Sequence, residues 1–202
     1  MKKILNIVTS VKGQESFSNK LSNAVLEKLA AIYPNSNIQT RNLAAHPFPH
    51  LEESHVTSFF TPEEMRTPEN HAALQHSDAA ISEIMDADII VICVPVYNFG
   101  IPSTLKAWID HIARAGVTFS YEKGYPEGLV VNKKVYLAIA SGAVFSEGPM
   151  KGYDFTEPYL RGVLGFLGMT DITAFRIEGT KMAETAETAW PKAMAAVNEF
   201  AF

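Results

Sequence analysis

Three short segments carry the residues best suited to chemistry, and each follows a run of apolar and β-branched residues. The first, from Thr9 through Ser10, Lys12, Ser16, Phe17 and Ser18 to Asn19, is rich in hydroxyls and leads into a stretch of helical period. A helix N-terminus offers unpaired N–H groups and a positive dipole end, so Ser10, Ser16 and Ser18 suit a phosphate there. Helix capping by Ser16 or Ser18 explains the same hydroxyls without a ligand. The second segment, Pro95-Val96-Tyr97-Asn98-Phe99-Gly100-Ile101-Pro102, places two aromatics and an amide between Pro and Gly. Flat faces and free backbone groups of this kind fit a planar ligand. An ordinary Asn-containing turn before a helix is the simpler account. The third, Ser141-Gly142-Ala143-Val144, has small residues that let a ligand approach the backbone, as a routine turn also would.

These segments matter because of what must position them. Candidate strands are Lys3–Thr9, Ile38–Arg41, Asp88–Pro95, Lys133–Ala140 and Asp171–Arg176. The third is apolar on both faces, as expected of a central strand covered on each side. Amphipathic helices alternate with the strands. One carries Leu21, Val25, Leu29 and Ile32, and a second carries Leu105, Trp108, Ile109 and Ile112 after Pro102-Ser103. A third carries Leu160, Val163, Leu164 and Leu167, closed by Gly168. The last runs from Ala183 to Phe200 with Trp190, Ala193 and Val197 inward. This alternation predicts an α/β, flavodoxin-like, doubly wound five-stranded parallel sheet of order 2-1-3-4-5 with helices on both faces. One domain over residues 1–202 is expected. Residues Ala44 to Pro62, with Pro47, Pro49 and Pro62, form a long connection that reads either as a lid or partner contact or as a tolerated insertion.

In such sheets ligands bind beyond the carboxyl ends of the strands where their order reverses, here between strands one and three. The three segments meet there as phosphate cradle, ring clamp and close-approach turn. Together they describe a mononucleotide with a large flat ring, and FMN satisfies all three. No G-x-G-x-x-G follows the first strand, and no G-x-x-x-x-G-K-[ST] occurs, which disfavours a resident dinucleotide and P-loop hydrolysis. A phospho-accepting Asp at the end of strand three, as a response regulator requires, is replaced by Pro95-Val96-Tyr97.

Composition narrows the class further. The 202 residues are 47% hydrophobic and 19% charged, enough for a self-sufficient core and too apolar for intrinsic disorder. The net charge is −5 and the 17 basic residues are scattered, so no basic stripe for nucleic acid is present. The longest apolar run, Ile89 to Val96, is too short for a bilayer, and no membrane association is expected. The N-terminus reads as a first strand, since Asn6, Thr9 and Ser10 interrupt any signal-peptide core. The single cysteine, Cys93, forms no internal disulfide, which fits a reducing cytoplasm.

The chain resembles the FMN-dependent NADH azoreductases, the NAD(P)H–quinone oxidoreductases of flavodoxin-like fold. The resemblance rests on Pro95-x-Tyr97-Asn98-Phe99, the helix Pro102-Ser103-x-Leu105-Lys106-x-Trp108-x-Asp110, and Arg114-Ala115-Gly116-Val117-Thr118-Phe119. Pro126-Glu127-Gly128-Leu129, Pro158-Tyr159-Leu160 and Leu164-Gly165-Phe166-Leu167-Gly168 extend it. It implies bound FMN, with phosphate contacts at Ser10, Ser16, Phe17 and Ser18. Ring contacts are implied along Pro95, Val96, Tyr97, Asn98 and Phe99 and at Ser141 and Gly142. It further implies a homodimer with active sites at the interface, where Tyr121 and Phe166 line the substrate pocket. NADH or NADPH then donates electrons, and quinones or aromatic azo compounds accept two at a time in a ping-pong sequence. The flavin carries the chemistry, with no catalytic side chain. The family's loop after the fourth strand often reads Ser-Arg-Gly-Gly; here it is Ser141-Gly142-Ala143-Val144, which leaves the outer pocket and substrate preference open.

A flavodoxin-type FMN electron carrier is the alternative, although such carriers tend to be shorter and more acidic. A cofactor-free interaction module is a third possibility. No metal site is expected: His46, His50 and His55 lack ligand spacing and read as solvated, and His111 reads as a helix-surface residue beside Asp110. Cys93 reads as a buried apolar filler, and Met182 and Met194 as core.

Overall fold

The computed structural model describes residues 1–202, apart from the side chain of Gln14. Five parallel strands form its sheet: β1 (Lys3–Val8), β2 (Asn37–Asn42), β3 (Ile89–Pro95), β6 (Lys134–Ala140) and β7 (Asp171–Ile177). Their order is β2-β1-β3-β6-β7, so the expected 2-1-3-4-5 winding is present. A two-stranded antiparallel ribbon, β4 (Phe119–Ser120) with β5 (Glu127–Gly128), was not foreseen from sequence. Its strands are too short to show a period.

Alternation along β3 explains the two layers. Ile89 and Val91 face one side, against Leu21, Val25 and Leu29 of α1 (Phe17–Ile32) and Ala189, Ala193 and Val197 of α6 (Ala186–Glu199). Ile90, Ile92 and Val94 face the other. There they meet α3 (Pro68–Asp86), α4 (Ser103–Ile112) and α5 (Thr156–Phe166). All seven β3 residues are buried, so the strand is apolar throughout. The α1 stripe ends at Leu29, since Ile32 is exposed. Trp190 and Met194 are half-buried. Met182 is exposed rather than core: it lies ahead of α6 in the loop after β7.

The connection from 44 to 62 is not a bare loop. It contains α2 (Glu53–Phe60), followed by a short turn of 3-10 helix at Glu63–Met65 and then α3, which the sequence reading left unassigned. Few apolar residues mark α3, whose buried face includes only Leu74, Ala80, Ile81 and Ile84 beside Ser77. It starts at Thr67-Pro68-x-Asn70, a signal the sequence reading did not use, where Thr67 Oγ1 and Asn70 Oδ1 cap each other's backbone N–H groups.

Histidines dock this segment, against expectation. His55 and His111 are both buried, their ring centres 5.0 Å apart, with Phe48 edge-on to His111 at 5.4 Å. His55 Nδ1 accepts from Glu52 N–H at 3.0 Å as part of the α2 cap. Period alone misplaced His111, because the partner covering that side of α4 comes from the unassigned connection. Its Nε2 lies 3.0 Å from the Pro49 carbonyl, which can only accept, so the proton is on Nε2. Nδ1 is buried without a partner among the described residues.

A close crossing holds the β4–β5 ribbon. A Cβ on Gly128 would lie 2.1 Å from Gly168 N, and Gly168, at φ +104°, ends the α5 turn. Gly168 and Met169 donate to the carbonyls of Gly165 and Leu164, closing the helix as its position suggested. The familial glycines at 128 and 168 are thus explained by backbone contact.

Two outcomes follow. Gly128→Ala forces two backbones apart and lowers unfolding free energy by about 3 kcal/mol, measured by urea denaturation. Burial pushes the His111 pKa below its ordinary 6.5, the Pro49 hydrogen bond opposes, and the charges of His55 and His76 add to the lowering while Asp110 resists it. The unfolded chain therefore takes up the proton first, and stability falls as pH drops below 6.5, by at most about 1.4 kcal/mol per pH unit from this group. His111→Gln keeps a donor for Pro49 without titrating, so thermal melts across this range show a shallower slope.

Candidate active site

Strands β1 and β3 pair directly, and their carboxyl ends are tied by Thr9 Oγ1 donating to the Cys93 carbonyl at 2.6 Å. Beyond that tie the chain turns from β1 toward α1. A short turn of 3-10 helix at Gly13–Glu15 leads to Ser16, the N-cap, whose Oγ lies 2.9 Å from Ser18 Oγ and accepts from Asn19 N–H at 3.4 Å. The N–H groups of Phe17 and Ser18 open the helix and have no carbonyl of their own helix to meet. Ser10, buried, has its Oγ 3.4 Å from the Tyr97 hydroxyl across the crevice.

Cys93 anchors this cradle from below. Its thiol lies 2.7 Å from Asn19 Oδ1 and 3.2 Å from Ser18 Oγ. Burial raises its pKa, with the Ser18 hydrogen bond opposing, so the group is a neutral thiol rather than a nucleophile.

After β3, Tyr97 and Gly100 exchange backbone hydrogen bonds of 3.0 and 3.1 Å around Asn98 and Phe99. Both central residues have positive φ, +49° for Asn98 and +70° for Phe99. That is a two-residue turn of type I′, whose second position ordinarily takes glycine. A phenylalanine held there costs about 1–2 kcal/mol. Its ring is 45% exposed, with Tyr153 at 5.6 Å and Phe145 edge-on at 6.0 Å.

The third wall follows β6. Ser141 Oγ donates to Ala143 O at 2.7 Å, while Thr180 Oγ1 and Lys181 N donate to the carbonyls of Ser141 and Gly142. The Gly142 N–H has no acceptor among the described residues and remains available. These walls enclose a cleft of about 430 Å³. Ser10, Ser16, Phe17, Ser18, Pro95, Val96, Tyr97, Ser141 and Gly142 all line it. Asn98 and Phe99 lie just beyond, at the tip of the turn. Tyr121 and Phe166 do not line it. They flank Phe119, at 5.7 and 4.7 Å, in a separate aromatic patch, and are 58% and 37% exposed.

Lys12, Glu15, Ala140, Thr180 and Lys181 also line the cleft and were missed in sequence. Lys12 lies inside the first segment, among hydroxyls that are the plainer phosphate signal; Lys181 follows β7, which does not border the switch between strands one and three. Neither lysine is in an ion pair among the described residues, so two cations and the Glu15 carboxylate face the cradle, with positive charge in excess.

The family described as Flavodoxin-like fold matches residues 2–201. An FMN-dependent NADH:quinone oxidoreductase of Herminiimonas arsenicoxydans is 48% identical over 200 residues, 98% of each chain. Another, of Mesorhizobium japonicum, is 44% identical over 186 residues, covering 92% of this chain and 89% of that one. The chain belongs to this family. Among solved structures, an azoreductase from Bacillus anthracis superposes with a TM-score of 0.88 at 28% identity, over 99% of this chain and all of that one.

The cleft fits FMN, the cofactor that these relatives' names carry. Helix N–H groups, three serine hydroxyls and two lysines are a donor set for a phosphate dianion. Pro95, Val96, Tyr97 and Gly142 offer an apolar floor with one free N–H for a ring system.

The strained turn gives a direct measurement. Phe99→Gly and Phe99→Ala both lose the ring, but only glycine tolerates this φ. The glycine variant is therefore the more stable by about 1 kcal/mol in chemical denaturation.

Proposed function

We propose that the protein is an FMN-dependent oxidoreductase that uses NADH or NADPH for two-electron reduction of quinones and reductive cleavage of aromatic azo compounds. The observation that carries this reading is the cleft at the β1–β3 switch, where a cationic, hydroxyl-lined cradle adjoins an apolar floor. In this reading Ser10, Ser16, Ser18 and the Phe17 N–H hold the FMN phosphate, with Lys12 and Lys181 balancing its charge. Pro95, Val96, Tyr97, Asn98 and Phe99 bound one edge of the ring, and Ser141 and Gly142 the other. FMN, when bound, supplies the redox chemistry between nicotinamide donor and acceptor. The free Gly142 N–H stabilises negative charge at its edge of the ring. Phe99, raised by its turn, gives planar donor and acceptor a face to lie against.

The working unit is a homodimer. Phe119, Tyr121 and Phe166 form an aromatic patch that the cleft of the same chain does not use. Half-exposed aromatics grouped in this way are suited to cover the open side of a partner's site. Residues 1–202 act as one domain. Among the described residues no helix is long and apolar enough to cross a membrane, and the buried free thiol suits the cytoplasm.

Purified protein is expected to be yellow, to bleach with NADH under anaerobic conditions, and to regain colour with a quinone and no added reductase. Failure of the folded protein to bind FMN at saturation refutes the flavin reading. Bound flavin that NADH leaves oxidised favours the electron carrier instead. Ser10→Ala is expected to weaken FMN about tenfold while leaving riboflavin, which lacks the phosphate, unchanged in fluorescence titrations.

A further inference from the structure

Arg176, near the end of β7, gathers three carboxylates. Its Nε lies 2.7 Å from Glu157 Oε2 and its Nη1 2.9 Å from Glu178 Oε1, while Nη2 pairs with Asp154 Oδ2. All four side chains are largely covered, between 11% and 18% exposed. Burial alone would lower the arginine's pKa, and the bonds and charges of Glu157, Asp154 and Glu178 outweigh it. Such a cluster adds little net stability over an apolar filling, so geometry is the better reason for it.

What it holds lies at the outer edge of the cleft. Glu178 Oε1 also accepts from the backbone N–H groups of Phe145 and Ser146, at 2.9 and 3.1 Å. Asp154 adjoins Tyr153, and its Oδ1 lies within 3.4 Å of the Thr156 and Glu157 N–H groups at the start of α5. Phe145 and Tyr153 are the two rings against Phe99. One guanidinium thus ties the segments that carry both supports of the exposed Phe99 ring. The loop between Ser141 and Ser146 is pinned at its outer end by Glu178.

We propose that Glu178, held by Arg176, is a positioning residue that sets the outer wall of the site, and so determines affinity for planar acceptors. This rests on the flavin reading above, in which the acceptor lies against Phe99. Glu178 does not touch the acceptor. It fixes Phe145, and through that ring the height and tilt of Phe99.

Two substitutions separate position from charge. Glu178→Asp keeps the charge beside Arg176 but draws the oxygen back from Phe145 and Ser146. Glu178→Gln gives up the charge but keeps an acceptor oxygen at full reach. The FMN-loaded variants are assayed with a planar quinone and with ferricyanide, which needs no aromatic seat. In E178D, KM for the quinone rises about tenfold while kcat, the FMN Kd and ferricyanide turnover stay within about twofold. E178Q rescues most of the KM. A purely electrostatic or stabilising role gives the reverse order and overturns the proposal, as does an unchanged KM in E178D. Phe145→Leu, which keeps apolar volume whether or not E178D folds, raises the same KM; a wild-type value there also overturns it. An active wild type with an E178D of parental KM refutes only the wall. A wild type that binds no FMN refutes the flavin reading and this proposal with it.

Discussion

The parallel pairing of β1 with β3, and the departure of their chains to opposite faces, creates the site. From β1 the chain turns to α1, which packs with α6 on one side; from β3 it turns to α4, which packs with α3 and α5 on the other. Neither loop can cover the gap between the strand ends, because each is drawn toward its own layer. The Thr9 hydroxyl on the Cys93 carbonyl fixes how far apart those ends lie. Everything polar in the crevice is arranged around that spacing. The α1 N–H groups are unpaired because a helix must begin there, and Ser16 and Ser18 bond each other while still facing the opening.

The costliest local strain sits in the same place. Among the described residues Asn98, Phe99 and Asn132 are the non-glycine residues with positive φ, and only Phe99 is not an asparagine. Asparagine tolerates this region, and phenylalanine does so poorly. The turn therefore requires outside support. It comes from the paired Tyr97–Gly100 bonds at its base and from two rings at its tip. A rigid scaffold carrying one strained aromatic at the mouth of a cleft is what pre-organised stacking demands.

Much of this was legible in the sequence, for identifiable reasons. β1, β3 and β6 were legible because buried apolar runs have few other readings, and β3 was the clearest; β2 and β7, exposed or half-buried, followed from the alternation of strand and helix. The cleft followed from the rule about strand ends, which located nine lining residues. Misses came where the signal is not periodic. The α3 face is too sparse in apolar residues to register, and burial of His55 and His111 depends on each other and on Phe48 across three separate segments. Lys181 was missed because its contribution comes from packing two loops together, through the Lys181 N–H on Gly142 O. The partners of Arg176 are as much as 22 residues away and carry no motif.

The cleft divides into two nearly independent halves. The phosphate cradle is supported from below by Cys93 and Asn19, on the α1 side of the sheet. The aromatic wall is supported from β7 through Arg176, Glu178 and Asp154. Between them run the 3.4 Å approach of Ser10 to Tyr97, at the long limit for two hydroxyls, and Lys181, which faces the cradle while its N–H bonds Gly142 O. Groups that share few partners act nearly additively. Changes to the cradle thus alter how firmly a phosphorylated ring is held, and changes to the wall alter what can lie upon it. A change in the wall can therefore alter the choice of acceptor without rebuilding the fold. The Ser141–Val144 loop, bonded to Lys181 through Gly142 O, lies where the two halves meet.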